Sequence, residues 1–164
     1  MLGVDQRHNQ HFRLHWTYSG KARNPRDARA IAKGLRMAVV LVVEDKKQVR
    51  VLADSYLEEQ GHQVLSAGTG WRARYSASIA AVDLLFTDLD LKGDVHAGIE
   101  LAKAAVKLRP QLHVLYTTGR AITDGMKARF VPGSATLAKP YTVEELRDSL
   151  STNFQIDRLR AAHP

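Results

Sequence analysis

The chain contains no cysteine. Disulfides, thiolate metal sites and cysteine nucleophiles are therefore excluded, and a reducing, cytoplasmic setting is the expectation. No apolar run approaches the roughly 18 residues a membrane helix needs, and the N-terminus lacks the apolar stretch of a secretory signal. Negative charge is scarce at one end: residues 1–36 hold eight Lys/Arg against two Asp, whereas residues 37–164 hold sixteen against fifteen Asp/Glu. Most of the net +7 thus belongs to the leader. A nearly neutral remainder argues against nucleic-acid binding by the folded part.

With 164 residues the chain is long enough for one compact domain and too short for two full ones. Residues 1–36 show no sustained strand or helix period before Pro25 and read as a basic, disordered leader. A basic arm for nucleic acid or anionic lipid is the lesser reading of the same charge. Met37 stands directly before AVVLVVED and is a candidate start. The expected domain is 37–152, with a tail over 153–164.

From Val39 onward, short apolar runs recur: VVLVV at 39–43, HQVLSA at 62–67, DLLFTD at 83–88, LHVLYT at 112–117 and SATLA at 134–138. They are near-continuous rather than alternating, which suits strands buried on both faces of a parallel sheet. Between them lie helix-like segments. In 46–60 the stripe is Val49, Leu52, Ala53, Tyr56 and Leu57, stopped by Gly61. In 98–108 it is Ile99, Leu101, Ala102, Ala105, Val106 and Leu108, closed by Pro110. Thr142 and Glu145 have capping-box spacing at the start of 142–150. Residues 69–81 and 121–130 are weaker helix candidates. Strands alternating with helices predict a doubly wound α/β fold with five strands and right-handed crossovers.

In such a sheet the C-terminal strand ends share one edge, where ligands bind. Here β-runs end in Glu44-Asp45, in Asp88 with Asp90 close by, in Thr117-Thr118-Gly119 and in Lys139-Pro140. Clustered ionised carboxylates need positive charge among them. Hard oxygen ligands without His or Cys favour Mg²⁺ over zinc. A cation, a lysine and a hydroxyl around one carboxylate suit a phosphoryl group, with Asp88 the candidate nucleophile. Singly, each residue has a plain reading. Glu44 and Asp45 suit a helix start, Asp88 a loop cap, the threonines a strand, and Lys139-Pro140 a turn. Their joint occurrence on successive strand ends carries the functional one.

Over about residues 38–152 the chain resembles the response-regulator receiver domains of two-component signalling. VVLVVED, LLFTDLDL, GIELA, VLYTTG and LAKPYTVEEL carry the likeness, with 43 residues from Asp45 to Asp88, 30 from Asp88 to Thr118 and 21 from Thr118 to Lys139. The resemblance implies a flavodoxin-like sheet of order 2-1-3-4-5. It implies that Asp88 is the phosphoacceptor and that Glu44 and Asp45 are the acidic pair, with Asp45 the more direct Mg²⁺ ligand. By the same likeness the backbone carbonyl of Asp90 is a further ligand, Thr118 is the mobile hydroxyl in preference to Thr117, and Lys139 pairs with the phosphate. The chain departs from the family in three places. Leu91-Lys92 stand where Met-Pro is common, the loop before Gly98 is about two residues longer, and Thr136 occupies a position that is often aromatic. Tyr141 or Tyr116 could stand in for that aromatic.

The implied function is a stand-alone phosphorylatable switch. Its expected partners are a sensor histidine kinase or phosphotransfer protein and a downstream protein, with homodimerisation common in the family. It is not expected to turn over a substrate. A receiver-like binding module that is never phosphorylated, and a phosphatase-like hydrolase using Asp88 and Asp90, are the alternatives.

Overall fold

The computed structural model of the chain describes residues 38–68 and 79–154. The expected leader, the end of the tail and most of the 69–81 helix candidate lie outside the described residues. In chain order the elements are β1 (Val39–Val43), α1 (Lys47–Glu59), β2 (Gln63–Ala67), a 3-10 turn (Ile79–Ala81), β3 (Leu84–Asp88), α2 (Ala97–Leu108), β4 (His113–Thr118), α3 (Asp124–Lys127), β5 (Ala135–Ala138) and α4 (Val143–Phe154). The five strands form one all-parallel sheet in the order β2-β1-β3-β4-β5.

The strands are apolar on both faces because both faces are covered. Leu41, Val43, Leu85, Val114 and Tyr116 enter one core with Ile99, Leu101, Ala102 and Ala105 of α2. Val40, Val42, Leu84, Phe86 and Leu115 enter the other, with Ala53, Tyr56 and Leu57 of α1 and Leu146 and Leu150 of α4. Each fully buried Val or Leu contributes about 1.5–3 kcal/mol, so the central strands anchor the fold.

Local signals set the helix ends. Gly61 takes φ 83°, a conformation that favours glycine, and its N–H bonds to the Glu58 carbonyl at 2.9 Å. Thr142 and Glu145 form the reciprocal box: the Thr142 N–H donates to Glu145 Oε2 at 2.7 Å, and the Glu145 N–H to Thr142 Oγ1 at 3.1 Å. At the sheet's N-terminal edge, Asp83 accepts from Arg109 Nη2 at 2.8 Å and from the Val39 N–H at 2.9 Å, tying three elements together.

The helix expectations change in two places. Leu52 and Leu108 are 44% and 57% exposed rather than core, because the buried faces centre on Ala53-Tyr56-Leu57 and on Ile99-Ala102-Ala105. Of 121–130 only Asp124–Lys127 is α-helical. Thr123 caps it by accepting from the Met126 N–H at 3.3 Å, and then Phe130 leaves to pack against Tyr116, with ring centroids 4.6 Å apart.

Candidate functional site

Because all strands run the same way, the ends of β1, β3 and β4 and the residue after β5 meet at one edge. Glu44 follows β1 and is completely buried. Its Oε1 accepts from the Lys46 N–H at 3.0 Å and its Oε2 from Lys139 Nζ at 2.5 Å. Asp88 ends β3, also buried, with Oδ2 2.8 Å from Lys139 Nζ and Oδ1 accepting from the Asp90 N–H at 3.3 Å. Lys139 is held in place by its own N–H, which donates to the Thr118 carbonyl at 2.7 Å as the β4–β5 ladder ends. One ammonium therefore joins two carboxylates.

Asp45 completes the group. One carboxylate oxygen from each of Glu44, Asp45 and Asp88 lies within 4.8 Å of the others. Asp45 Oδ2 accepts from the Lys92 N–H at 3.0 Å, while Oδ1 is buried without a partner. Three carboxylates and one ammonium leave an excess of negative charge in a site where Glu44 and Asp88 are buried and Asp45 and Lys139 are half-buried. Burial pushes the Glu44 carboxyl above its ordinary range, against the opposing effects of Lys139 and the Lys46 N–H. Burial also acts to raise Asp45, but the Lys92 N–H, Glu44 and Lys46 outweigh it and hold Asp45 low.

This donor set fits Mg²⁺. It is all oxygen, it lacks His and Cys, and it offers an unpartnered buried carboxylate oxygen. Asp45, with one oxygen free, is the readiest direct ligand, while both oxygens of Glu44 are engaged and one of them braces Lys139. Asp90 joins the site through its N–H on Asp88 Oδ1, and its carboxylate pairs with Arg120 Nη2 at 2.9 Å.

The two threonines differ in environment. Thr117 is the in-register partner of Asp88, and its Oγ1 is buried without a partner. Thr118 Oγ1 accepts from the Arg120 N–H at 3.0 Å. Thr136 is exposed on the edge strand β5. Of the aromatic substitutes, Tyr116 is locked in the core: its hydroxyl accepts from the Val131 N–H at 3.4 Å, and burial pushes its ionisation up to about 12. Tyr141 packs on the other face, edge-on to Phe86 at 6.1 Å. Its hydroxyl is buried and unpartnered, and burial, then the charges of Glu44 and Asp88, raise its ionisation.

Three contributors were not legible as site residues. Lys92 and Gly93 both take positive φ, 57° and 80°, in a tight turn closed by the Leu91–Asp94 bridge. That turn accommodates the longer loop and aims the Lys92 N–H at Asp45, a donor that proline in the same place would lack. Gly98 opens α2 against β3, where a Cβ would lie 2.0 Å from the Asp88 carbonyl oxygen. Arg120 links Thr118 to Asp90. Only the unusual Leu91-Lys92 pair signalled the first of these.

An acidic pair after β1, an aspartate ending β3 and a lysine after β5, on a sheet of order 2-1-3-4-5, define a receiver-type domain. The model of the response regulator receiver domain family matches residues 40–151, and the chain belongs to that family, whose members serve two-component phosphorelay signalling. Sporulation initiation phosphotransferase F of Bacillus subtilis (strain 168) is 26% identical over 112 residues, covering 68% of this chain and 89% of that protein. The structure of chemotaxis protein CheY4 of Vibrio cholerae is 26% identical with a TM-score of 0.62, covering 73% of this chain and 100% of the other. A receiver domain protein from Clostridium thermocellum, 22% identical with a TM-score of 0.61 over 75% of this chain and 98% of its own, shares the fold. Receivers of this family bind Mg²⁺ through acidic residues and interact with histidine kinases or phosphotransfer proteins, and the cluster at Glu44, Asp45 and Asp88 is of that kind. Among the described residues no helix is long and apolar enough to cross a membrane.

Proposed function

We propose that Asp88 accepts a phosphoryl group from a phosphohistidine on a sensor kinase or phosphotransfer protein, and that the phosphorylated chain signals in the cytoplasm by contact with a downstream protein. The observation that carries this is the position of Lys139, 2.8 Å from Asp88 Oδ2 and braced on Glu44, beside an unpartnered oxygen of Asp45. An Asp88 oxygen attacks phosphorus. The O–P bond forms as the donor's P–N bond breaks, and the electron pair returns to the imidazole. Lys139 offsets charge on the phosphoryl oxygens, and the Asp90 N–H steadies the carboxylate that attacks. When bound by Asp45, Asp88 and the Asp90 carbonyl, Mg²⁺ supplies the remaining charge neutralisation. Thr118 contributes a hydroxyl donor to the product. The reaction is a single loading of the protein rather than turnover.

Acetyl phosphate provides the test. With Mg²⁺ the full chain should gain one phosphoryl group at Asp88, with acetate as the leaving group, and lose the labelling in EDTA or in Asp88→Asn. A folded protein that takes no label, or that releases phosphate continuously from generic phosphate esters, rules the reading out.

A further inference from the structure

The structure offers no aromatic at residue 136 to follow a moving threonine, and Tyr116 is locked by Phe130 and the Val131 N–H. What does connect the phosphoacceptor to the hydroxyl is Arg120. The Asp90 N–H donates to Asp88 Oδ1 at 3.3 Å, Arg120 Nη2 pairs with Asp90 Oδ2 at 2.9 Å, and the Arg120 N–H donates to Thr118 Oγ1 at 3.0 Å. One residue thus holds the acid beside the nucleophile with its side chain and the hydroxyl with its backbone.

We propose that Arg120 is a phosphoryl-binding residue: when Asp88 carries phosphate, the guanidinium leaves Asp90 and pairs with the phosphoryl oxygens. The inference rests on Asp88 being the acceptor. Three physical points support the exchange. The Arg120–Asp90 pair is an exposed one, with the arginine side chain 62% accessible, so little is lost when it breaks. A phosphoryl group carries up to twice the charge of a carboxylate, and a guanidinium fork suits phosphate geometry. A new dianion on Asp88 also repels the Asp90 carboxylate two residues away, which favours its release from the site. Thr118 Oγ1 acts as acceptor toward the Arg120 N–H, so its own proton remains available to the phosphoryl group. Movement of Arg120 is thereby coupled to the turn that carries Thr118, a charge-operated link in a chain with threonine at position 136.

The test uses the full chain and beryllofluoride, which mimics an aspartyl phosphate, at saturating Mg²⁺. Arg120→Gln should weaken beryllofluoride binding about tenfold, the loss of one charge-assisted pair. Arg120→Lys should recover part of the loss. Asp90→Asn should tighten binding, because it removes the group that competes for the guanidinium. Opposite signs for the two members of one ion pair are the signature. A purely structural pair would move both variants the same way, and that result, or no effect of Arg120→Gln, overturns the inference. If the variants keep their thermal stability and label normally at Asp88 while showing no difference in beryllofluoride affinity, the inference fails and the acceptor reading stands. If the wild type neither labels nor binds beryllofluoride, both fall.

Discussion

Lys139 Nζ lies 2.8 Å from Asp88 Oδ2, although Lys139 stands 51 residues further along the chain, just after β5, and both side chains are nearly withdrawn from solvent. Buried pairs of this kind stabilise little when intact but cost much when broken. Replacing Lys139 by Met should therefore destabilise the metal-free protein by about 3 kcal/mol, since Glu44 and Asp88 lose their shared cation. The same change should tighten Mg²⁺ binding, because the ammonium no longer repels the ion. Urea unfolding in EDTA and calorimetric Mg²⁺ titration measure the two effects. Unchanged stability together with weaker Mg²⁺ binding would contradict the arrangement.

The Lys92-Gly93 turn makes a prediction about the metal site without touching a ligand. Lys92→Pro demands φ near −65° where the backbone has 57°, and it deletes the N–H that holds Asp45 Oδ2. Mg²⁺ affinity should fall. Lys92→Asn keeps the N–H and suits the turn, so it should preserve affinity and match or slightly exceed wild-type stability.

Gly98 should tolerate no side chain. A Cβ there meets the Asp88 carbonyl oxygen at 2.0 Å and the Leu89 Cα at 2.8 Å, both backbone atoms. Gly98→Ala must push α2 away from the end of β3, at a cost of about 1–3 kcal/mol or more. Chemical denaturation checks the stability. The displaced Asp88 should also label more slowly with acetyl phosphate.

Asp54 gives a pH signature away from the metal site. Burial raises its carboxyl above the ordinary 3.8, against the bond from Ser66 Oγ at 2.7 Å and the charge of Arg50. A raised carboxyl contributes stability that is complete below 3.8 and is lost as pH climbs through the raised value, so at pH 7 the ionised group costs the fold. Asp54→Asn keeps an acceptor for Ser66 and removes that cost. Its melting temperature should exceed wild type at pH 7, and the difference should shrink as pH falls toward 4. A variant less stable at neutral pH would show that ionised Asp54 is needed.

The strand runs, the parallel sheet and the placement of Glu44, Asp45, Asp88 and Lys139 on one edge were legible because each depends on local pattern. Continuous apolar runs need cover on both faces, and in a parallel sheet every strand end points the same way. Gly61 and the Thr142–Glu145 box were legible for the same reason, being contacts between near neighbours in sequence. The 121–130 segment was not. Its helix-like composition lost to the packing of Phe130 on Tyr116, a contact across the fold that no local period encodes. The outward Leu52 and Leu108 were likewise decided by which helix face the sheet presented.

By itself, then, the order of residues determined which groups would gather at the sheet edge. Only the tertiary structure decided how they divide the work: Lys139 between Glu44 and Asp88, the Lys92 N–H on Asp45, and Arg120 between Asp90 and Thr118. Those pairings join residues 30 to 95 positions apart, apart from the Arg120–Thr118 bond, and they depend on loop conformation and distance rather than on composition. Hydrogen bonds and ion pairs act over a few ångströms, and such separations exist only once the sheet has closed.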